Sequence, residues 1–334
     1  GERVVTCSYD KTVRIWDVEK GEQEGMSMVH EGWVLGLAVT RDGKRILSGE
    51  DRWIRVWDVE TREPIEGWAS TTGYIWCIAL SPDNHLAASG GDDGKIVIRE
   101  MKERGKIKHS IDAGSRVDSL CFSPDGEKLA CAVNNFTDRV FAIHVYDVET
   151  GELVFGPMQG NEGCVRCVLW SLDGSRLFSA SDGHTIRCWD PERAESIGEP
   201  WTGHTEYVLS LSLSPDGTKV ASASGDMTIR FWDAHSGDPI DHSLQHENSL
   251  YAVAFSPSGE FVASGGSGGT VSIWRVPWWD DGQKQVVTTF TYSPTLFLTV
   301  FLTADTSFVV RRALSANPSQ IRRTALLTVV YFFI

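Results

Sequence analysis

Thr202-Gly-His-Thr-Glu-Tyr-Val-Leu-Ser-Leu-Ser-Leu-Ser-Pro-Asp-Gly-Thr-Lys-Val-Ala-Ser-Ala-Ser-Gly-Asp-Met-Thr-Ile-Arg-Phe-Trp-Asp233 decides the architecture. Three short strand-like runs lie within it. Leu209, Leu211 and Leu213 alternate with Val208, Ser210 and Ser212, a period of two. Pro215-Asp-Gly217 reads as a turn, Val220 to Ser224 as a second run closed by Gly225-Asp226, and Thr228 to Trp232 as a third. A few strands with an apolar face are not stable until something covers them. The rest of the chain supplies that cover by repeating the pattern.

The Trp232-Asp233 dipeptide recurs as Trp16-Asp17, Trp57-Asp58 and Trp189-Asp190, and in altered form as Tyr146-Asp147, Trp274-Arg275 and Arg99-Glu100. Successive copies stand 41, 42, 47, 43, 43 and 42 residues apart. That period, with four strands per unit, resembles the WD40 family, and the resemblance covers residues 1 to 303. It implies an all-β, seven-bladed propeller with four-stranded antiparallel blades. Each small sheet has apolar residues on both faces, so the sheets must pack face to face around an axis. Ala252 and Ala254 beside Val253 and Phe255 suit a strand near that axis, where neighbouring sheets converge.

The first unit holds a second strand (Val4 to Ser8) and a third (Thr12 to Trp16) but lacks a first. Near the other end, Leu296-Phe-Leu-Thr-Val-Phe-Leu-Thr-Ala-Asp-Thr306 matches a first strand and its turn, with no Trp-Asp strand after it. The economical arrangement has this segment complete the N-terminal unit, closing the ring and leaving no free edge. Residues 304–334 then form an apolar extension, expected to be disordered or loosely packed. Its apolar end, Thr324 to Ile334, is far shorter than the ~20 residues that span a bilayer. The fourth unit carries an insertion at Asn134-Asn-Phe-Thr-Asp138. Because the chain opens at Gly1 in mid-repeat, it reads as the recognition part of a larger protein.

Formal net charge is −14, against the Lys/Arg excess that non-specific nucleic-acid binding needs and compatible with a basic partner. The seven cysteines sit mostly inside strand runs, as small apolar residues do, which points to a reducing, cytoplasmic or nuclear setting without disulfides.

The resemblance also implies a structural hydrogen-bond tetrad: a His before strand one, a Ser or Thr in strand two, an Asp in the next turn and the Trp of strand three. The sixth unit matches with His204, Ser222, Asp226 and Trp232, and the second with His30, Ser48, Asp51 and Trp57, one residue being deleted before the Asp. The seventh has His246, Ser264 and Trp274 but Gly268 for the Asp, and the first has Thr6, Asp10 and Trp16 without a His. A Ser–His–Asp set invites a hydrolase reading. Recurrence around a ring argues instead for structure, since a catalytic site is single. Gly265-Gly-Ser-Gly-Gly269 matches G-x-S-x-G, but a strand follows where a nucleophile elbow needs a helix. Cys164 and Cys167 match C-x-x-C, yet positions i and i+3 of a strand face opposite ways. No metal or cofactor is expected.

Propellers of this family mostly bind partners on the face carrying the loops before strand one and between strands two and three. Alignment to the sixth unit places Tyr9, Trp33, Tyr74, Arg116 and Tyr207 there, with Glu31, Glu50, Asp92, Glu162 and Glu247 around them. Trp, Tyr and Arg dominate binding hot spots. The expectation is a non-catalytic docking platform for a protein or peptide that presents a basic residue, with Trp33, Tyr74 and Tyr207 as anchors and the acids supplying the field. The rivals are an enzyme with a site at the channel, which needs converging titratable groups, and a nucleic-acid platform, which needs a basic stripe.

Overall fold

The computed structural model describes residues 3–267, 269–279, 286–291, 298–299 and 328–333. Strands dominate, and every strand pairing in the described residues is antiparallel. The Thr202–Asp233 stretch folds as its pattern dictates. Val208–Leu213, Lys219–Ser224 and Thr228–Asp233 pair in that order, and Pro239–Gln245 adds a fourth strand. The turn between the first two is held by its own side chains. Asp216 accepts from the Ser214 hydroxyl and the Thr218 amide, while Ser214 Oγ accepts from Lys219 N at 2.9 Å. Gly217 has φ of 72°, a conformation that costs glycine nothing. Thr40 with Asp42, Ser81 with Asp83, Ser123 with Asp125 and Ser171 with Asp173 build the same turn in other units.

Three further four-stranded sheets comprise strands within residues 116–159, 165–201 and 250–291. The second and third units depart from separate sheets. Pro64–Leu80 is one 17-residue strand, serving as the last strand of one unit and the first of the next, so the two merge into a seven-stranded sheet. In the first unit Arg3–Ser8 pairs with Thr12–Asp17, which pairs in turn with the short Glu22–Gln23 and Met28–Val29.

Two C-terminal segments reach Arg3–Ser8. Leu298–Thr299 pairs at Cys7 and Thr6, and Thr328–Phe333 pairs along the whole strand, from Arg3↔Phe333 to Ser8↔Thr328. The rest of 296–306, the expected completing strand, lies outside the described residues. The extension expected to be disordered or loosely packed thus carries a strand whose β-branched and aromatic residues, Thr-Val-Val-Tyr-Phe-Phe, suit that conformation. Its backbone also runs beside Leu250–Phe255 of the seventh unit.

The innermost strands are buried on both faces and stitched to one another across sheets. Val253 N donates to Ser210 Oγ at 3.0 Å and Phe255 N to Ser212 Oγ at 3.1 Å. Val168 N likewise donates to Ser119 Oγ at 3.1 Å. Serine is small enough to let the sheets converge and satisfies an amide that would otherwise be buried unpaired. The inner strands of the third to seventh units also carry a bulge, where one residue steps out of register. Trp76, Asp118, Arg166, Leu209 and Tyr251 occupy those positions. A bulge re-aims its side chain. Leu209 and Tyr251 thereby join the apolar cluster that contains Leu35 and Trp76 of distant units.

The sixth unit's tetrad is a chain of hydrogen bonds. The Trp232 indole donates to Ser222 Oγ at 2.8 Å, His204 Nε2 meets the same hydroxyl at 2.7 Å, and His204 Nδ1 meets Asp226 Oδ2 at 2.8 Å. A carboxylate only accepts, so the imidazole carries a proton on Nδ1, and burial, which lowers the His204 pKa, favours the neutral tautomer with Nε2 accepting from Ser222. In the second unit Trp57 and His30 bond Ser48 at 2.7 and 3.0 Å. The acid there corrects the sequence expectation. Asp51 has a half-exposed side chain, whereas Glu50 is buried, with Oε2 3.4 Å from His30 Nδ1 and accepting from Glu31 N and Gly32 N at 3.1 Å each. One residue fewer in the turn leaves Asp51 out of reach, and the longer glutamate side chain spans the gap from one position earlier. In the fifth unit Asn161 stands where the His belongs and accepts from Ser179, which also takes the Trp189 indole at 2.8 Å. In the third, buried Arg99 replaces the Trp and bonds the carbonyls of Gly105 and Ala69 at 2.9 and 2.5 Å.

Burial alone would raise the Glu50 carboxyl, but neighbouring His30 and Arg55 outweigh it and hold it at about 2. Asp226 is lowered in the same way by His204 and Thr228. Glu50→Ala is expected to destabilise the protein by about 2–4 kcal/mol and Asp51→Ala by less than about 0.5 kcal/mol, read from urea denaturation midpoints. The reverse order would return Asp51 to the network. The histidines shift in the same direction as the acids, through burial rather than through a partner, and with the same consequence. Burial lowers His30 and His204, and takes His246 to about 4. Between the ordinary histidine value of 6.5 and about 4, the unfolded chain therefore binds more protons than the folded one, and stability falls as pH drops. The depressed carboxyls extend that loss below their ordinary range. The urea midpoint is expected to decline steadily from pH 6.5 to 4, and less steeply in His246→Gln. A midpoint flat across that window would contradict the assignment.

Candidate functional site

The loop face is built by residues just before the first strands and in the turns between second and third strands. Tyr9 follows Arg3–Ser8, Trp33 precedes Gly36–Val39, and Tyr74 lies in the continuous strand Pro64–Leu80. Their rings meet. Tyr9 stands edge-on to Trp33 with centroids 5.0 Å apart, and Trp33 stacks on Tyr74 at 5.7 Å. Tyr74 continues to Trp76 at 6.4 Å. The Arg116 guanidinium lies 4.5 Å above Trp76 and 5.4 Å from Phe136, which meets Phe141 edge-on at 6.3 Å. One aromatic run therefore crosses four consecutive units. Each ring pair adds about 0.5–1.5 kcal/mol beyond burial, which stiffens loops that would otherwise move independently.

Beneath this run lies a buried charge network. Arg116 Nε donates to Asp118 Oδ1 at 2.7 Å and stands 3.7 Å from Asp92, which accepts from the Trp76 indole. Asp118 Oδ2 accepts from Asn134 at 2.7 Å and lies 3.9 Å from Arg166. Arg166 makes two hydrogen bonds to Asp182. Burial alone would lower the Arg166 pKa, but Asp182 and Asp118 overcome that and keep it charged. Bulges in adjacent inner strands aim Asp118 and Arg166 at each other, so partners that are 48 positions apart in sequence meet.

The expected site residues separate into four groups. Tyr9, Trp33, Tyr74, Arg116 and Asp92 come together. Tyr207 is 41% exposed but stands apart from the run, beside His184 at 5.6 Å. Glu31, Glu162 and Glu247 are exposed, as an attracting field requires. Glu50 is withdrawn from that field by its bonds to Arg55 and the loop backbone. Trp76 and Phe136 escaped the sequence reading. Trp76 is two residues beyond Tyr74, in the column that also holds Asp118 and Arg166, and Phe136 is the one aromatic of the insertion.

The Ser–His–Asp set is not built for nucleophilic attack. Ser222 is fully buried, and its oxygen accepts from the Trp232 indole. Cys164 and Cys167 are free and buried, and burial raises their thiols to about 11 and about 12, which suppresses the reactive thiolate. Gly265 and Gly266 end one strand and Thr270 begins the next, so the G-x-S-x-G stretch joins two strands.

A family model described as "WD domain, G-beta repeat" matches residues 1–17, 24–58, 63–99, 153–190, 195–233 and 239–275. The unmatched residues 100–152 contain the fourth unit, with its Tyr146 and its insertion. The small ribosomal subunit protein RACK1y of Oryza sativa subsp. japonica is 31% identical over 182 residues, 51% of this chain and 51% of its own length. The small ribosomal subunit protein RACK1z of Arabidopsis thaliana is 33% identical over 139 residues, 36% of this chain and 40% of its own. The cross-pathway control WD-repeat protein 2 of Flammulina velutipes is 25% identical over 194 residues, 56% of this chain and 46% of its own. The chain thus spans about half or less of the length of these relatives. With the family pattern matched over more than half of its residues and the hydrogen bond from Trp to a Ser or Thr hydroxyl present in unit after unit, the chain belongs to the WD40-repeat family.

Proposed function

We propose that this chain is a non-catalytic protein-interaction scaffold that binds protein or peptide partners on the loop face of a closed, seven-bladed propeller. The observation that carries the docking reading is the aromatic run from Tyr9 to Phe141, which leaves Trp33 44% and Phe136 46% exposed on interlocked loops. Large half-exposed rings on a stiff support lose little entropy when a partner covers them. Ring closure is supported by the pairing of C-terminal segments with Arg3–Ser8 and by the approach of the seventh unit's inner strand to Thr328–Phe333.

A basic residue remains the favoured feature of the partner. The chain itself shows how such a niche holds a guanidinium, with Arg116 over Trp76 between Asp92 and Asp118. Glu31, Glu162 and Glu247 offer further carboxylates to a partner's cation. Formal net charge of −14 favours protein over nucleic acid. Seven free, buried cysteines fit a reducing cytoplasm. Among the described residues no helix is long and apolar enough to cross a membrane. Two of the relatives are named as ribosomal subunit proteins, which makes a ribosomal protein surface one candidate partner.

Affinity capture followed by crosslinking tests the reading. Trp33→Ala/Tyr207→Ala is expected to lose at least one specific partner while the melting temperature stays within a few degrees of the parent, and crosslinks should map to the loop face. Capture of every partner by the double variant would remove the loop face from the account. Glu31→Lys is expected to weaken capture further at low salt than at high salt, because exposed charges are screened.

A further inference from the structure

A groove of about 520 Å³ lies on the flank of the second unit, lined by Glu31, Trp53, Arg55, Pro64, Ile65, Glu66 and Gly67. It is within the size range of ligand pockets. Gly67 keeps its floor low: even a Cβ there would only reach ordinary contact with Trp53 Cε3, at 3.8 Å, so larger side chains are what would fill the space. Trp53 is 48% exposed and Ile65 43%, so two large apolar groups wall an open space. Between them Arg55 is already committed, its Nε bonded to Glu50 at 2.8 Å. The Glu31 side chain is 94% exposed, with Arg55 no nearer than 4.0 Å. The lining therefore presents apolar surface and surplus negative charge.

The backbone adds a second means of recognition. Among the described residues Pro64–Ala69 pairs with one strand, Asp51–Asp58, along one edge. Apart from the Ala69 carbonyl, which Arg99 takes, its other edge presents amide and carbonyl groups to which an extended chain can add. In an added strand alternate side chains face the same way. Two residues of the incoming chain, separated by one, would thus enter the groove together.

We infer that this groove docks an extended segment of a partner protein carrying a large apolar residue and a lysine or arginine with one residue between them. The apolar side chain packs between Trp53 and Ile65 over Gly67, and the cation faces Glu31. The inference rests on the scaffold reading, adding a second contact surface that meets the loop face at Glu31. It gives the acidic chain a reason to keep apolar groups exposed on a flank where solvation alone favours polar ones.

Panning a phage-displayed random dodecapeptide library on the whole chain, with synthetic copies of the selected peptides measured by fluorescence anisotropy, tests it. Selected peptides are expected to carry the apolar-x-basic pattern. Their affinity should fall at least tenfold with Gly67→Leu, which fills the groove, and with Glu31→Lys. Trp53→Ala, at an exposed position, gives the same readout should the glycine variant fail to fold. Peptides that keep their affinity in Gly67→Leu and Trp53→Ala, or that lack a basic residue, overturn the groove assignment. Peptides lost only in Trp33→Ala/Tyr207→Ala overturn it while leaving the loop-face reading intact. Peptides insensitive to both sets, or no selected peptide, overturn the groove, and insensitivity to both sets also removes the loop face.

Discussion

A four-stranded sheet with apolar residues on both faces must be covered twice, and no single unit of this chain can do that for itself. Everything else follows from that requirement. Inner strands are buried on both sides, serines such as Ser210 and Ser212 replace larger residues where sheets converge, and their hydroxyls take amides of the next sheet at 3.0 and 3.1 Å. Polar tetrads, where the residues are present, then fix the outer layer. The Trp232 indole, Ser222, His204 and Asp226 tie the third strand to the second and to the loop before the first. The loop face inherits its rigidity from these bonds, because the same loops that carry Thr205 and Glu31 are anchored by Asp226 and Glu50.

The units are not interchangeable, and their departures cluster where docking is proposed. The fourth lacks the tetrad tryptophan and histidine, but gains the insertion that brings Phe136 over Arg116. Bulge positions that are apolar in the third, sixth and seventh units become Asp118 and Arg166 in the fourth and fifth. A buried ion pair is costly to desolvate and stabilises little by itself. Its value here is geometric: Asp118 holds Arg116 flat on Trp76, so the aromatic run passes from one unit to the next without a break.

Much of the fold was legible in the sequence, for identifiable reasons. Spacing of Trp-Asp pairs gave the unit, and period-two alternation around Leu209–Leu213 gave the inner strand with its turn. What escaped depended on distances that sequence alignment does not carry. Shortening a turn by one residue moved the tetrad acid from Asp51 to Glu50, since reach, not alignment, decides which carboxylate meets His30. Asn161 sits in the histidine column of the fifth unit, but an amide there was not recognised as a substitute acceptor for Ser179. The merger of two units through Pro64–Leu80 left no turn signal to miss or find. Of the candidate site, the individual rim residues were readable from their column. Their contacts were not: Trp33 and Tyr74 stack on each other, whereas Tyr207 of the same column meets His184.

The central claim is that stacking closes on itself, with C-terminal strands completing the first unit. Native-state hydrogen exchange of the Arg3–Ser8 amides measures this most directly. Alternate amides of that strand point away from Thr12–Asp17, toward the edge that closure would occupy. The account predicts protection at all of them, within about tenfold of the amides of Val208–Leu213, because exchange would require opening the ring. Alternate amides exchanging at the rate of a frayed terminus, beside protected neighbours bonded to Thr12–Asp17, would show an open arc and contradict it.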